Sequence, residues 1–158
     1  MTNSMELKFK ASISNELLAR QALIAFISPI NPTYEEIGEY KTIISEAVSN
    51  AIIHGYHFDA SKDVYLKVTL YKDEVEIVVR DYGVGIKNIE EAKTPHYTTR
   101  PDLERAGMGL TIIEALSDSF SISSVEGMGV KLVIRKKYSL NKILDEQRIE
   151  RLSIVKEN

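Results

Sequence analysis

The chain has 158 residues, a length that corresponds to about one domain with a core of its own. A formal net charge of −3 gives no indication of a nucleic-acid partner, and the absence of cysteine excludes disulfides and thiolate metal sites. The N-terminus carries charges where a signal peptide needs an apolar core, and the longest purely apolar run, 22–27, is too short for a membrane span, so we expect a cytoplasmic protein.

The first part of the chain indicates one strand followed by two helices. Apolar and charged residues alternate over 5–12, which is the period-two pattern of a half-buried strand. Ser14 is a candidate N-cap for a helix over 15–28, which prolines then end. Thr33 followed by Glu36 forms a capping box, and this pattern predicts the start of a second, longer helix.

That longer helix carries two polar residues among residues that would normally build a core. Glu46 and Asn50 lie four positions apart, so they share one face, about one turn from each other, before the helix ends near Gly55. A carboxylate and an amide in apolar surroundings cost free energy unless other groups satisfy them. From this helix alone, a solvated polar stripe is the simpler explanation of the pair.

An antiparallel hairpin is predicted over 64–80, because two runs of alternating apolar residues flank a short polar turn. Its second strand leads directly into the motif D-x-G-x-G, from Asp81 to Gly85. The carboxylate of Asp81 could accept a hydrogen bond from an exocyclic amine, while Gly83 and Gly85 would let the backbone approach a flat ring. An ordinary turn after a strand explains the same residues.

A long polar connection follows over 86–107, with a short helix predicted at 89–93. A connection of this length within a compact domain is usually functional, often as a lid. The motif G-x-G-L, Gly107 to Leu110, then opens a helix whose N-terminus could meet phosphate oxygens, and Arg105 could reach a phosphate with its guanidinium. A glycine hinge and a surface arginine are the plain alternative.

The order of predicted elements is strand, helix, helix, hairpin, connection, helix and two closing strands over 120–125 and 130–136. This order indicates an α+β fold, a two-layer sandwich with a mostly antiparallel mixed sheet and helices packed on one face. We expect a single domain at 1–138 and a C-terminal helical tail of undetermined role at 139–158.

The three motifs together, E-x-x-x-N on a helix, D-x-G-x-G after a strand and G-x-G-L after a long connection, resemble those of the GHKL ATPase and kinase superfamily, whose Bergerat fold binds ATP through them. Three segments narrow the match: N-E-L-L-A-R (15–20), S-E-A-V-S-N-A-I-I-H-G-Y (45–56) and T-T-R-P-D-L-E-R-A-G-M-G-L-T-I (98–112). They resemble the bacterial anti-sigma F factors of the sporulation pathway, over about residues 5–137. Their nearest relatives are the general-stress anti-sigma serine kinases.

The resemblance implies a homodimer that keeps a sigma F-like sigma factor from RNA polymerase and uses Mg-ATP to phosphorylate a serine of an anti-anti-sigma factor. It implies Glu46 as the general base, Asn50 as the Mg²⁺ ligand, and Glu16 and Arg20 as partner-contacting residues. The ATP-binding set that it implies comprises Asn50, His54, Asp81, Gly83, Gly85, Ile86, Thr98, Thr99, Arg105, Gly107, Met108, Gly109 and Leu110.

One departure from the family concerns the last strand, where Val130 and Lys131 stand in place of the usual threonines. We expect this change to affect nucleotide affinity or the kinase rate, but not the fold. It keeps open a nucleotide-dependent anti-sigma binding module with weak or no kinase activity, and a general-stress anti-sigma serine kinase is a further alternative. A histidine kinase would need a phosphoacceptor histidine on a dimerisation helix, and none of the three histidines has such a setting. A gyrase-like ATPase would need a transducer domain, for which we expect no room in this chain.

Overall fold

A sheet and a layer of helices make up residues 2–93 and 109–138, which are the residues that the computed structural model describes. The strands of this part are β1 (Asn3–Lys10), β2 (Asp63–Leu70), β3 (Glu74–Asp81), β4 (Ser119–Val125) and β5 (Gly129–Lys137). Its α-helices are α1 (Ser14–Ile27), α2 (Tyr34–Asn50), α3 (Ile89–Ala92) and α4 (Gly109–Leu116). The tail predicted at 139–158 lies outside the described residues.

The sheet has the strand order β1-β2-β3-β5-β4, and the α+β sandwich expected from the sequence is confirmed. All four pairings among the described strands are antiparallel, so this part of the sheet is not mixed. These pairings are all antiparallel because of the position of β5 in the sheet. The crossover through α4 returns β4 in the same direction as β3, but β5 lies between them and pairs antiparallel with both.

The core lies between one face of the sheet and the helices. Inward-facing apolar residues stand side by side across three strands, as in the row Leu66, Val79 and Leu132. These side chains are at most 2% exposed, and they are buried together with Ile43 and Ile44 of α2. Helix α2 lies at the centre of the helical layer, because α1 packs on one of its sides and α4 on the other.

The capping box predicted at the start of α2 is confirmed. The Oγ1 of Thr33 accepts from the backbone N–H of Glu36 at 3.2 Å, and the Glu36 carboxylate accepts from the Thr33 N–H at 2.7 Å. The N-cap predicted for α1 is wrong, because Ser14 is the first helical residue and Ile13 occupies the cap position without a side-chain bond. The hydroxyl of Ser14 instead lies 3.0 Å from that of Ser12.

The C-terminus of α2 differs from a regular helix end. The α-helix ends at Asn50, and one π-helical turn, Ala51–Gly55, continues it to the predicted position. The N–H of Tyr56 donates to the carbonyl of Ala51 at 3.0 Å, five residues back. Such wide turns are rare and often occur at functional sites. No helix within residues 2–93 and 109–138 combines the length and apolar character needed to cross a bilayer.

Replacing Thr33 with alanine should lower the free energy of unfolding by about 1 kcal/mol, because the Glu36 N–H loses its acceptor at the start of the central helix. Urea denaturation of the whole chain measures this change. The matched control is Ser14→Ala, which removes no cap and should cost less than about 0.5 kcal/mol. Equal losses in the two variants would show that the capping box does not stabilise α2.

Candidate functional site

A cavity of about 250 Å³ opens between α2, the loop that follows β3 and the head of α4. This volume is close to the lower end of the range of about 300–1,000 Å³ that is typical of small-molecule sites. The described residues that line it are mostly apolar or small: Ala47, Asn50, Ala51, His54, Gly55, His57, Val79, Asp81, Val84, Gly85, Ile86, Lys87, Ala92, Gly109, Leu110, Glu126, Val130 and Leu132.

Asp81 places a carboxylate in the wall of this cavity. It is the last residue of β3 and only 4% exposed, with the apolar side chains of Val79 and Leu132 also lining the cavity. Burial raises the pKa of Asp81 to about 6, although the backbone N–H groups of Gly83 and Val130 and the charge of Arg80 act in the opposite direction. A buried carboxylate among apolar walls is suited to accept a hydrogen bond from a ligand amine.

The loop after β3 packs backbone against backbone on the end of α2. A Cβ on Gly83 would lie 2.0 Å from the carbonyl oxygen of Gly55, so only glycine fits there. That carbonyl accepts from the N–H of Val84 at 3.0 Å. Gly85 has a φ of +75°, and a Cβ there would lie 2.3 Å from the carbonyl oxygen of Val125. Gly83 therefore supports the cavity wall, whereas Gly85 lines it.

Two hydroxyl groups that were not predicted from the sequence hold this loop in place. The Oγ of Ser124 accepts from the N–H of Ile86 at 2.7 Å and donates to the carbonyl of Gly129 at 2.8 Å. The Oη of Tyr56 accepts from the N–H of Tyr82 at 2.7 Å and donates to the carbonyl of Asp63 at 2.7 Å. No local pattern could identify them, because each accepts from a loop N–H that is far away in the sequence, 38 residues for Ser124 and 26 for Tyr56.

Helix α2 and the π-helical turn that continues it provide another wall of the cavity. Asn50 and His54 line the cavity at helical spacing, together with the small residues Ala47 and Ala51. Glu46 is half-buried one turn before Asn50, immediately outside the described lining. The two residues of the predicted pair therefore differ: Asn50 lines the cavity, and Glu46 is not among its described lining residues.

The remaining residues of the predicted ATP-binding set fall into two groups. Ile86, Gly109 and Leu110 line the cavity, and Gly109 is the first residue of α4. The others lie outside the described residues: Thr98, Thr99, Arg105, Gly107 and Met108.

The two residues that depart from the family pattern point in opposite directions. Val130 pairs with Asp81 across β3 and β5 and lines the cavity. Lys131 is the next residue, so it lies on the other face of the sheet, in register with Arg80 and Ser123. The departure that the resemblance implies would therefore affect the cavity at Val130, whereas Lys131 does not line it.

Glu16 and Arg20 lie on α1, apart from the cavity. The Nε of Arg20 is 3.0 Å from a carboxylate oxygen of Glu16, which also accepts from the hydroxyl of Ser45 on α2. Two apolar side chains at helical spacing from Arg20, Ile13 and Leu17, are 52% and 51% exposed. An arginine bordered by exposed apolar side chains is typical of a protein-binding surface.

The described residues contain no group of three histidine, aspartate or glutamate side chains arranged to hold a metal ion. Asn50 is the candidate ligand that the sequence predicted, and its amide oxygen is of the hard type that Mg²⁺ prefers. One such ligand fits an ion whose other positions are filled by phosphate and water oxygens.

Known proteins share this domain. Residues 9–136 match the family of the histidine kinase-like ATPase domain. The chain is 47% identical over 137 residues to an anti-sigma F factor of Clostridium perfringens (strain SM101 / Type A), covering 87% of this chain and 98% of the relative. It is also 47% identical over 145 residues to one from Priestia megaterium, covering 91% and 99%. A crystal structure of the RsbU and RsbW domains of a Mycobacterium tuberculosis protein shares the fold, with a TM-score of 0.61 and 20% identity over 85% of this chain and 31% of that chain.

The raised pKa of Asp81 predicts a specific pH dependence of stability. The folded protein holds this proton up to a pH of about 6, whereas an unfolded aspartate releases it near pH 4. The contribution of Asp81 to stability is therefore fully present below pH ~4 and is lost as the pH rises through about 6. Asp81→Asn has no proton to release, so from pH 4 to pH 7 its stability should rise relative to wild type by up to about 3 kcal/mol.

Urea denaturation of both proteins between about pH 4 and pH 8 measures this difference, and the comparison cancels the titration of the other carboxylates. A stability difference that does not change with pH would show that Asp81 has an ordinary pKa in the folded protein.

Proposed function

The chain belongs to the anti-sigma F factor family, and from this we propose that it inhibits a sigma factor of the sigma F type and phosphorylates a serine of an anti-anti-sigma factor with Mg-ATP. The observation that carries the nucleotide part of this proposal is the buried carboxylate of Asp81 in an apolar cavity that also meets Asn50 and the head of α4. The family relationship supports the sigma-factor part.

The cavity offers a mechanism for recognising adenine. The exocyclic amine of the base would donate to Asp81, while Val79 and Leu132, neighbours on the same face of the sheet, would contact the ring from one side. A hydrogen bond to a charged acceptor is strong when water is excluded, and a ring with an oxygen at that position would leave the carboxylate without a donor. Asp81 would therefore select an amine-bearing base.

The opposite end of the cavity would receive the phosphates. The backbone N–H groups at the start of α4, near Gly109 and Leu110, and the positive end of its dipole favour negative charge. Asn50 would hold Mg²⁺, which neutralises phosphate charge when bound. Glu46, one turn earlier on α2, would accept the proton of the attacking serine hydroxyl.

The surface formed by Leu17 and Arg20 of α1 and by Ile13 at its N-cap is the proposed docking surface for the sigma factor and the anti-anti-sigma factor. Glu16 holds Arg20 there, and the Ser45 hydroxyl holds Glu16. As in the family, we propose a homodimer. A cytoplasmic location follows from the proposed partners, because sigma factors act on RNA polymerase.

A nucleotide-dependent anti-sigma protein with weak or no kinase activity is the second candidate. Val130 favours it, because an apolar side chain lines the cavity next to Asp81 where a hydroxyl is usual in the family. A general-stress serine kinase is distinguished by the sigma factor that it binds.

The experiment that decides between a kinase and a binding protein without kinase activity incubates the chain with Mg-ATP and the anti-anti-sigma factor of the same organism. Phosphoserine is then measured by mass spectrometry.

In that assay, Glu46→Gln should reduce phosphotransfer at least about 100-fold, because the serine hydroxyl loses its proton acceptor. The affinity for ATP, measured by calorimetry, should stay within about threefold, because glutamine keeps the shape of the side chain and Glu46 lies outside the described cavity lining. Glu35→Gln is the matched control, since it removes an exposed carboxylate from the same helix.

A parallel loss of ATP affinity and phosphotransfer in Glu46→Gln would make Glu46 a binding or structural residue. Binding of sigma F without any phosphoserine in the wild-type reaction would establish the second candidate.

Arg20→Gln should weaken binding of the sigma F protein of the same organism by about tenfold or more, because arginines at the centre of an interface contribute strongly. Its affinity for ATP should not change, because Arg20 lies on α1 and does not line the cavity. Lys41→Gln, which removes an exposed charge from α2, controls for net charge. Sigma binding that is equal in all three proteins would place the docking surface elsewhere.

A further inference from the structure

We propose that Lys87 is a further nucleotide-binding residue, whose ammonium group contacts the phosphates of the bound nucleotide. Lys87 follows the D-x-G-x-G motif by two residues and lines the cavity, and it is the one lysine or arginine among the described residues that do so. This inference rests on the proposed function and adds to its phosphate-binding site.

The charges around the cavity call for such a residue. The carboxylates in the described lining are Asp81 and Glu126, and both would repel the phosphates of a nucleotide. Lys87 has no ion-pair partner within residues 2–93 and 109–138, so its charge is not already committed to a carboxylate there. A lysine binds phosphate as a compact point charge and needs no fixed orientation.

The backbone that carries Lys87 is held in place on both sides. Immediately before it, the Ile86 N–H donates to the Ser124 hydroxyl at 2.7 Å. Immediately after it, the side chain of Asn88 caps α3 by accepting from the Glu91 N–H at 3.1 Å. The position of Lys87 at the cavity is therefore set by the fold.

The same stretch of chain leads from the base-binding end of the cavity to its phosphate end. It leaves β3 beside Asp81, and after α3 the carbonyl of Lys93 accepts from the Thr111 hydroxyl of α4 at 3.0 Å. Gly109, at the head of α4, lines the cavity close to that bond. Lys87 thus lies on the stretch of chain that leaves Asp81 and, through Lys93, contacts α4, at whose head phosphate is expected.

The test measures binding of adenosine, ADP and Mg-ATP to the full chain by calorimetry, with wild type, Lys87→Gln and Lys87→Arg. Lys87→Gln should weaken ADP and Mg-ATP about three- to tenfold and leave adenosine within about twofold, because the lost charge acts on phosphate alone. The deficit should shrink between about 50 mM and 500 mM salt, because Lys87 is exposed and its charge is screened. Lys87→Arg should retain most of the affinity.

Lys72→Gln is the matched control, because it removes one exposed lysine from the turn between β2 and β3, outside the cavity lining. Two results would overturn the inference: unchanged ADP affinity in Lys87→Gln, or an equal loss for adenosine and ADP, which would assign Lys87 a structural role. If the wild-type protein binds neither adenosine nor ADP, the proposed function itself fails. This result is distinguishable from the two results above, because in both of them the wild-type protein binds nucleotide.

Discussion

The close contact between the end of α2 and the loop after β3 is the constraint on which the rest of the cavity depends. The carbonyl of Gly55, in the π-helical turn, lies where a side chain on Gly83 would otherwise be. This carbonyl accepts a hydrogen bond from the N–H of Val84, the residue after Gly83. This contact joins the helical layer to the sheet at the level of Asp81. Because backbone packs on backbone, the distance between the carboxylate and the cavity-facing side of α2 is fixed.

Burial of Asp81 is unfavourable for the protein without a ligand and useful for binding one. Its pKa of about 6 shows that the surroundings only partly satisfy the charged form, although two backbone N–H groups point to it. A carboxylate in this state gains a partner when a ligand amine arrives, whereas a fully solvated carboxylate would gain little. The fold thus buries the Asp81 carboxylate in an apolar wall, and a hydrogen bond from a ligand amine would offset the free-energy cost of that burial.

Helix α2 connects the two proposed sites. Ser45 contacts Glu16, which pairs with Arg20 on α1, while the next residue is Glu46, the proposed proton acceptor. Asn50 faces the cavity one turn later. The capping box and the packing of α1 and α4 on either side keep this helix in one position, so its two faces can serve different partners.

Patterns within the sequence determined the strands, the helices and the motifs, because periodicity, capping residues and glycines act over a few neighbouring positions. They indicated Asn50 and Asp81 for the same reason. The tertiary structure alone decided that Val130 faces the cavity and Lys131 does not, and that β5 lies between β3 and β4. It also selected Ser124, whose hydroxyl holds a loop 38 residues away, because contacts between distant segments leave no local signal in the sequence.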